Sequence, residues 1–91
     1  MDEKFIKKFS YVYRSKYRKK TILSLTQGEK TPTEIGLYTN IRTNHISKIL
    51  RELKEYEIVK CINEEMKMGR LYILTDWGEK IAEELQKREK H

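Results

Sequence analysis

Apolar residues in the first third of the chain recur at spacings of three and four, which predicts amphipathic helices. The first such run covers residues 3 to 13. Ser15 is a preferred N-cap residue and can begin a second helix that continues to about Thr26. Gly28 then suits a helix C-terminal stop. The apolar positions of these two predicted helices are Phe5, Ile6, Phe9, Val12, Tyr13, Tyr17, Ile22, Leu23 and Leu25.

The clearest helix start in the sequence is the segment TPTE at positions 31 to 34. Thr31 can accept a hydrogen bond from the Glu34 amide while the Glu34 side chain accepts one from the Thr31 amide, which is a capping box. Proline costs nothing at the first helical position, because that N–H would have no helical partner. We expect a short helix from Pro32 to about Tyr38, followed by a tight turn at Asn40.

A longer helix is predicted over about Thr43 to Tyr56, because its apolar residues form one stripe. That stripe consists of Ile46, Ile49, Leu50 and Leu53. The opposite face carries Asn44, His45, Ser47, Lys48, Arg51 and Glu52. A short helix, a tight turn and a second helix together make a helix-turn-helix.

After this helix the hydrophobic period changes from about 3.6 to about 2. Ile58–Ile62 and Arg70–Leu74 are predicted as two strands, and the polar segment Asn63–Gly69 turns between them, so that the pair forms a β-hairpin. Thr75 or Asp76 can cap a last helix. The apolar face of that helix is Trp77, Ile81, Ala82 and Leu85.

This order of elements predicts an α+β, mostly helical fold, a winged helix-turn-helix in which the hairpin is the wing and a final helix follows it. A chain of 91 residues is long enough for one domain and not for two. We expect a single domain over residues 1–91. Within it, residues 1–14 form an N-terminal helical extension, and residues 87–91 form a charged tail that frays.

Charge narrows the choice of partner. Charged residues make up 37% of the chain and the formal net charge is +6. Because the apolar residues are clustered and periodic, the high charge does not indicate disorder. Excess positive charge favours an acidic partner, which is nucleic acid, an anionic membrane surface or an acidic protein.

Several other classes of protein find no support in the sequence. Cys61 is the only cysteine, so no intrachain disulfide or thiolate metal cluster is expected, and a packing role is favoured. The sequence shows no secretory signal and no apolar run of about 20 residues, so we expect a cytoplasmic protein that does not bind membranes. We find no glycine-rich phosphate loop, no nucleophile motif and no metal-ligand spacing for His45 and His91. We therefore expect no enzyme activity, no cofactor, no metal and no evident small-molecule ligand.

Three stretches in order resemble the winged helix-turn-helix regulators of archaea and bacteria, including the MarR-like and ArsR-like groups and their small archaeal members. Residues 33–53 resemble the helix-turn-helix, residues 67–75 the return strand of the wing, and residues 76–81 the LT-x-x-G start of the helix behind it. Residues 15–23 add a likeness to the first core helix, and the whole resemblance covers about residues 15 to 86. One departure concerns the turn before the wing, where the family usually has glycine and this chain has Glu57. Either the turn differs or Glu57 bears a strain of roughly 1 kcal/mol, which affects the wing angle.

The resemblance implies that the helix over residues 43–56 enters the major groove of duplex DNA, where its first half meets base edges. Asn44 then suits adenine, and Arg42 or Lys48 suits guanine or phosphate. Thr43 and Ser47 suit phosphate oxygens. The remaining candidates on this helix are Arg51 and His45; the histidine either contacts DNA, senses pH or is simply solvated.

The wing and the N-terminal segment supply the other candidate DNA contacts. Lys67 and Arg70 lie near the predicted wing tip, where the resemblance implies contact with the minor groove or flanking phosphates. Residues 4–20 hold eight Lys or Arg residues and no acidic residue. This stretch is either a phosphate-contacting arm around Ser15, Lys16 and Arg18, an amphipathic membrane-surface helix, or a dimer seam made by Phe5, Phe9 and Val12. We favour the seam, with the lysines facing water and adding a long-range attraction to DNA.

The sequence therefore predicts a sequence-specific double-stranded DNA-binding protein, a transcription regulator that acts as a homodimer on a palindromic site. The first alternative is a winged-helix module for protein–protein contacts within a transcription or replication assembly, because one fold serves both purposes. The second alternative is a protein that binds structured RNA. A charge reversal on the exposed face of the helix over residues 43–56 distinguishes DNA binding from the first alternative.

Overall fold

The computed structural model describes residues 2–89, and the elements follow in the order that the sequence pattern predicts. The described part of the chain contains five α-helices, a 3-10 turn and a two-stranded antiparallel hairpin. In chain order these are α1 (Glu3–Tyr13), α2 (Lys16–Ser24), the 3-10 turn (Leu25–Gln27), α3 (Pro32–Thr39), α4 (Thr43–Glu55), β1 (Val59–Cys61), β2 (Tyr72–Leu74) and α5 (Asp76–Glu89). The predicted winged helix-turn-helix architecture is confirmed. Helix α5 includes residues 87–89 of the predicted tail. The rest of that tail, residues 90 and 91, lies outside the described residues.

The predicted helix starts are formed by the residues expected to form them. The Ser15 hydroxyl accepts a hydrogen bond from the Arg18 amide at 3.2 Å and begins α2. Both bonds of the capping box at α3 are present, since the Glu34 amide donates to Thr31 Oγ1 at 3.2 Å and the Thr31 amide donates to Glu34 Oε1 at 2.8 Å. Asn40 ends α3 in the left-handed conformation, with φ 61° and ψ 36°, and turns the chain into α4.

A single apolar core lies between the helices and the hairpin. The predicted stripe of α4 forms its centre, because Ile46 and Leu53 are fully buried and Ile49 and Leu50 nearly so. Ile22, Ile35, Ile58, Ile81 and Leu85 pack around it. Val12 is also 0% exposed, so the suggestion that it contributes to a dimer seam is wrong. Its side chain already packs inside its own chain and cannot reach a second copy.

The turn between α4 and the wing shows that Glu57 bears the expected strain. Glu57 has φ 62°, the left-handed conformation that usually selects glycine. The Glu57 amide donates to the Lys54 carbonyl at 3.0 Å and the Ile58 amide to the Leu53 carbonyl at 2.9 Å. These two bonds are those of a Schellman motif, and both of its apolar residues, Leu53 and Ile58, are buried. The turn therefore keeps the geometry of a glycine-capped helix end with glutamate in the strained position.

The hairpin is shorter than the alternating pattern predicts. The strands pair in the register Val59↔Leu74 to Cys61↔Tyr72, and each has three residues. One further backbone bond, from the Ile62 amide to the Leu71 carbonyl at 2.9 Å, follows the strands. Beyond it the Leu71 amide donates to the side-chain oxygen of Asn63 at 2.7 Å and not to a backbone carbonyl. One pairing was not predicted from the sequence: Lys30 and Tyr72 exchange two backbone hydrogen bonds and form an isolated antiparallel bridge beside β2.

The LT-x-x-G stretch fixes α5 against the hairpin. The Thr75 hydroxyl donates to the Glu57 carbonyl at 2.6 Å and accepts from the Gly78 amide at 3.2 Å, so Thr75 is the residue that caps α5. A Cβ atom on Gly78 would lie 2.2 Å from the Ile58 carbonyl oxygen, which no side chain can occupy. The family signature thus corresponds to a cap and a close backbone contact. Among residues 2–89, no helix combines the length and the apolar character that crossing a membrane requires.

Candidate nucleic-acid interface

The exposed face of α4 is the centre of the candidate interface. Asn44, Lys48 and Arg51 are exposed and point away from the buried stripe, because they follow each other at spacings of four and three. On either side of this line the helix carries the shorter polar residues and the histidine predicted from the sequence. Those flanking residues are Thr43 and Ser47 on one side and His45 on the other, all of them exposed.

The start of α4 presents backbone amides as well as side chains. Arg42 occupies the N-cap in an extended conformation, with φ −60° and ψ 140°, and its side chain makes no capping hydrogen bond. Helix α3 holds this start in place, since a Cβ atom on Gly36 would lie 2.9 Å from the Ile41 carbonyl oxygen. A helix start without a side-chain cap attracts anions, because its first amides and the helix dipole both favour negative charge.

One groove separates α4 from the wing, and we call it the α4–wing groove. It brings together five residues that the sequence analysis assigned to DNA, since Thr43, Ser47, Arg51, Lys67 and Arg70 all line it. The start of α3 completes the groove with Thr31, Pro32 and Thr33, which the sequence analysis did not include. Their proximity follows from the helix-turn-helix, in which the first turn of α3 lies beside the exposed face of α4.

The wing is held in a defined shape by Asn63. Its side-chain amide donates to the Gly69 carbonyl at 3.1 Å, while its oxygen accepts from the Leu71 amide at 2.7 Å. Arg70 Nε donates to the Met66 carbonyl at 2.7 Å across the same loop. Gly69 takes φ 70°, which allows the chain to turn there. These bonds close the loop on itself, and Arg70 remains exposed.

An ion pair joins the wing to α4. The Lys54 ammonium donates to the Glu64 carboxylate, and both side chains are about half exposed. The hydrogen bond from Lys54 lowers the pKa of the Glu64 carboxyl, and the same bond raises the pKa of Lys54. Because the pair is exposed, it contributes little to stability. It does neutralise Glu64, one of the acidic residues that reduce the net positive charge of the wing.

A second groove, the α2–α4 groove, lies on the other side of α4. It is lined by residues from the start of α2 and from α4, namely Ser15, Tyr17, Arg18, His45, Lys48, Ile49 and Glu52. The basic segment predicted around Ser15 to Arg18 therefore lies beside the exposed face of α4. Lys16 is exposed in the first turn of α2. The His45 ring lies 6.2 Å from the Tyr17 ring, tilted against it.

Arg18 is engaged within the protein. Its guanidinium lies 3.7 Å from the centre of the Tyr11 ring, and Nη1 donates to the Tyr11 carbonyl at 2.8 Å. The Tyr11 ring stacks in turn on Tyr56, with 3.9 Å between centroids and 10° between planes. Burial raises the pKa of the Tyr11 hydroxyl. The resulting Arg18–Tyr11–Tyr56 stack ties α2 and α1 to the end of α4, a contact that sequence spacing gave no sign of.

Lys8 makes a second contact between α1 and the end of α4. Its ammonium donates to the Tyr56 carbonyl, lies 3.9 Å from the Glu57 carboxylate and sits 5.5 Å from the Trp77 ring centre. A cation at a helix C-terminus is favourable because the carbonyls there carry partial negative charge. Lys8 therefore stabilises the fold, and its charge is engaged within the protein. Residues 2–89 include no group of three or more His, Cys, Asp or Glu side chains placed to hold a metal ion.

Comparison with solved structures finds the same fold in several proteins. YodB of B. subtilis, treated with diamide, matches with a TM-score of 0.75 and 23% identity over 99% of this chain and 90% of that one. A MarR family transcription regulator gives a TM-score of 0.70 and 24% identity over 94% and 58% of the two chains. The adhesin competence repressor AdcR of Streptococcus pyogenes gives a TM-score of 0.75 and 17% identity over 84% and 57%.

These matches define the fold class. The chain has the winged-helix fold of MarR-family transcription regulators, as the resemblance in sequence implied. It spans a little over half the length of AdcR and of the MarR family regulator. No protein-family model and no curated protein matches the sequence.

Proposed function

We propose that this protein is a transcription regulator that binds double-stranded DNA in a sequence-specific manner. Helix α4 lies in the major groove, and the wing lies on the minor groove or the adjacent backbone. The observation that carries the proposal is the free, cation-bearing face of α4, flanked by a groove on each side that other predicted contact residues also line. A net charge of +6 supports an acidic partner.

The positions on α4 suggest a division of tasks. Asn44 is exposed near the start of the helix, where a bidentate amide contact selects adenine. Lys48 and Arg51 lie along the outermost line of the helix and bind guanine or phosphate. Arg42, Thr43 and Ser47 contact phosphates, the last two from within the α4–wing groove.

The wing and α2 contact the DNA backbone on opposite sides of α4. Lys67 and Arg70, which both line the α4–wing groove, reach the minor groove or its phosphates. Lys16 binds a phosphate beside the start of α2. Ser15 and Arg18 have a different task, because the Ser15 hydroxyl caps α2 and the Arg18 guanidinium lies on Tyr11. They position α2 and also line the α2–α4 groove, where His45 makes a further contact.

The protein acts as a homodimer through α1 and α5. Ile6 and Tyr13 are 45% and 44% exposed, which is high for apolar side chains. Phe5, Phe9 and Tyr13 stack along α1 with centroid separations of 5.8 and 5.3 Å, and Arg88 of α5 lies over Phe9. A two-fold pair built on this surface suits two half-sites about one helical turn apart. Analytical sedimentation tests this arrangement. The wild type should sediment as a dimer, and Ile6→Glu should sediment as a monomer.

Charge reversal on α4 tests the proposal directly. Fluorescence anisotropy with a labelled random-sequence duplex at low salt should detect wild-type binding, and each phosphate contact should add about −0.9 to the slope of log K against log salt. Lys48→Glu and Arg51→Glu should each lower the affinity at least about tenfold, with unchanged circular dichroism. Lys20→Glu is the matched control, because it makes the same charge change at an exposed position of α2 that lines neither groove and lies outside α1 and α5. Wild-type affinity in both α4 variants contradicts the proposal.

A further inference from the structure

The wing tip carries an exposed apolar residue that the DNA-binding proposal does not use. Met68 is 84% exposed, and Met66 in the same loop is 49% exposed. Met68 stands between Lys67 and Gly69-Arg70, so an apolar side chain is held out among cations. A large apolar side chain that is this exposed adds little to the stability of the folded chain, whereas its burial by a partner is favourable.

The loop backbone around Met68 is held in place by hydrogen bonds. The Asn63 amide spans the loop to Gly69 and Leu71, and Arg70 Nε spans it to the Met66 carbonyl. The Met66 amide also donates to the Asn63 carbonyl at 3.0 Å. Four hydrogen bonds therefore fasten the residues on both sides of Met68, and the backbone at the tip loses little freedom on binding.

Met68 also faces the same space as the candidate DNA contacts. It lines the α4–wing groove together with Ser47, Arg51, Lys67 and Arg70. A duplex that rests on α4 and on the wing cations must therefore meet the Met68 side chain. Apolar side chains at such a place insert between base steps from the minor groove, partly unstack them and bend the duplex. The unbranched thioether of methionine adapts well to an irregular gap of this kind.

The geometry points to Met68 as an apolar wedge that enters the minor groove and selects deformable base steps. This inference rests on the DNA-binding proposal and adds to it a determinant of specificity. Pyrimidine–purine steps such as TA unstack easily, whereas A-tracts are stiff. A wing that used only Arg70 would prefer the A-tract, because its narrow minor groove has the more negative potential. The two mechanisms therefore predict opposite preferences between duplexes of identical base composition.

The experiment uses two labelled duplexes of about 20 base pairs, one of alternating TA and one a pure A-tract. Wild-type protein should bind the alternating duplex about tenfold more tightly and bend it by about 20° or more, measured by energy transfer between its ends. Met68→Gln keeps the length of the side chain but not its apolar character, and should lose the preference and most of the bend. Met68→Leu should keep both.

Each outcome decides between the hypotheses. A preference for the A-tract in the wild type, or an unchanged preference and bend in Met68→Gln, overturns the wedge while the DNA-binding proposal stands. Absence of wild-type binding to either duplex at low salt overturns the DNA-binding proposal and the wedge with it. Loss of preference in Met68→Leu as well as in Met68→Gln also contradicts the wedge, because an apolar side chain of similar volume remains there.

Discussion

Replacing Glu57 by glycine should stabilise the fold, although it removes an ion-pair partner. Glu57 has φ 62°, and a left-handed conformation costs a residue with a Cβ atom roughly 1–2 kcal/mol. Against this relief of strain, glycine lowers the stability by about 0.4–1 kcal/mol, because it gives the unfolded chain more conformational freedom. The contact between Lys8 and Glu57 is 3.9 Å long with the glutamate 79% exposed, and is worth less than about 0.5 kcal/mol. The net expectation for Glu57→Gly is a gain of about 0.5 kcal/mol.

The assay is urea unfolding followed by circular dichroism, with Glu57→Ala as the matched control. Alanine loses the same carboxylate but keeps the strain, so its stability should equal that of the wild type or fall slightly below it. For a domain of this size the glycine variant should melt about 2–4 °C higher than the wild type. If Glu57→Gly proved less stable than Glu57→Ala, the assignment of strain to this turn would be refuted.

Three further perturbations test the fold and the wing. Gly78→Ala should destabilise the protein by about 2 kcal/mol or more in urea unfolding, since its Cβ atom would lie 2.2 Å from the Ile58 carbonyl oxygen; wild-type stability would disprove that close contact. The bond from the Thr31 amide lowers the pKa of Glu34, so the stability it adds is present above the unfolded-state pKa of about 4.3 and is lost as pH falls through the folded-state value. Glu34→Gln should therefore flatten the fall in urea midpoint over this acidic range, and an unchanged pH profile would contradict the assignment. Asn63→Ala should speed hydrogen exchange in the wing and weaken DNA binding by about threefold to tenfold without changing the exchange of α4, whereas unchanged exchange at the Leu71 amide would show that Asn63 does not hold the loop.

Local signals predicted most of this fold. The capping box at Thr31 and Glu34, the left-handed turn at Asn40 and the buried stripe of α4 each depend on residues within about one or two helical turns, so their spacing is visible in the sequence. The strain at Glu57 was also predictable, because the resemblance marks a position where glycine is usual.

Contacts between distant segments could not be predicted in this way. The pairing of Lys30 with Tyr72 and the stacking of Tyr11 on Tyr56 join residues more than 40 positions apart, and no local period records which segments will meet. The same limit explains the error at Val12, whose helical spacing fitted either a seam or the core. It also explains why Arg18 and Lys8, although basic, are engaged inside the fold while Lys48 and Arg51 remain free on α4.

The most direct test of the central claim is selection of bound sites from a pool of random duplex DNA, carried out in parallel with the wild type and with Asn44→Ala. If the exposed face of α4 makes the base contacts, the wild type should enrich one motif with two-fold symmetry and half-sites about 10 base pairs apart. Asn44→Ala should still bind but lose preference at one position of each half-site, at a cost of about 1–3 kcal/mol there. Enrichment of no motif by the wild type would contradict the assignment of sequence recognition to this face of α4, and an identical motif from both proteins would contradict the adenine contact assigned to Asn44.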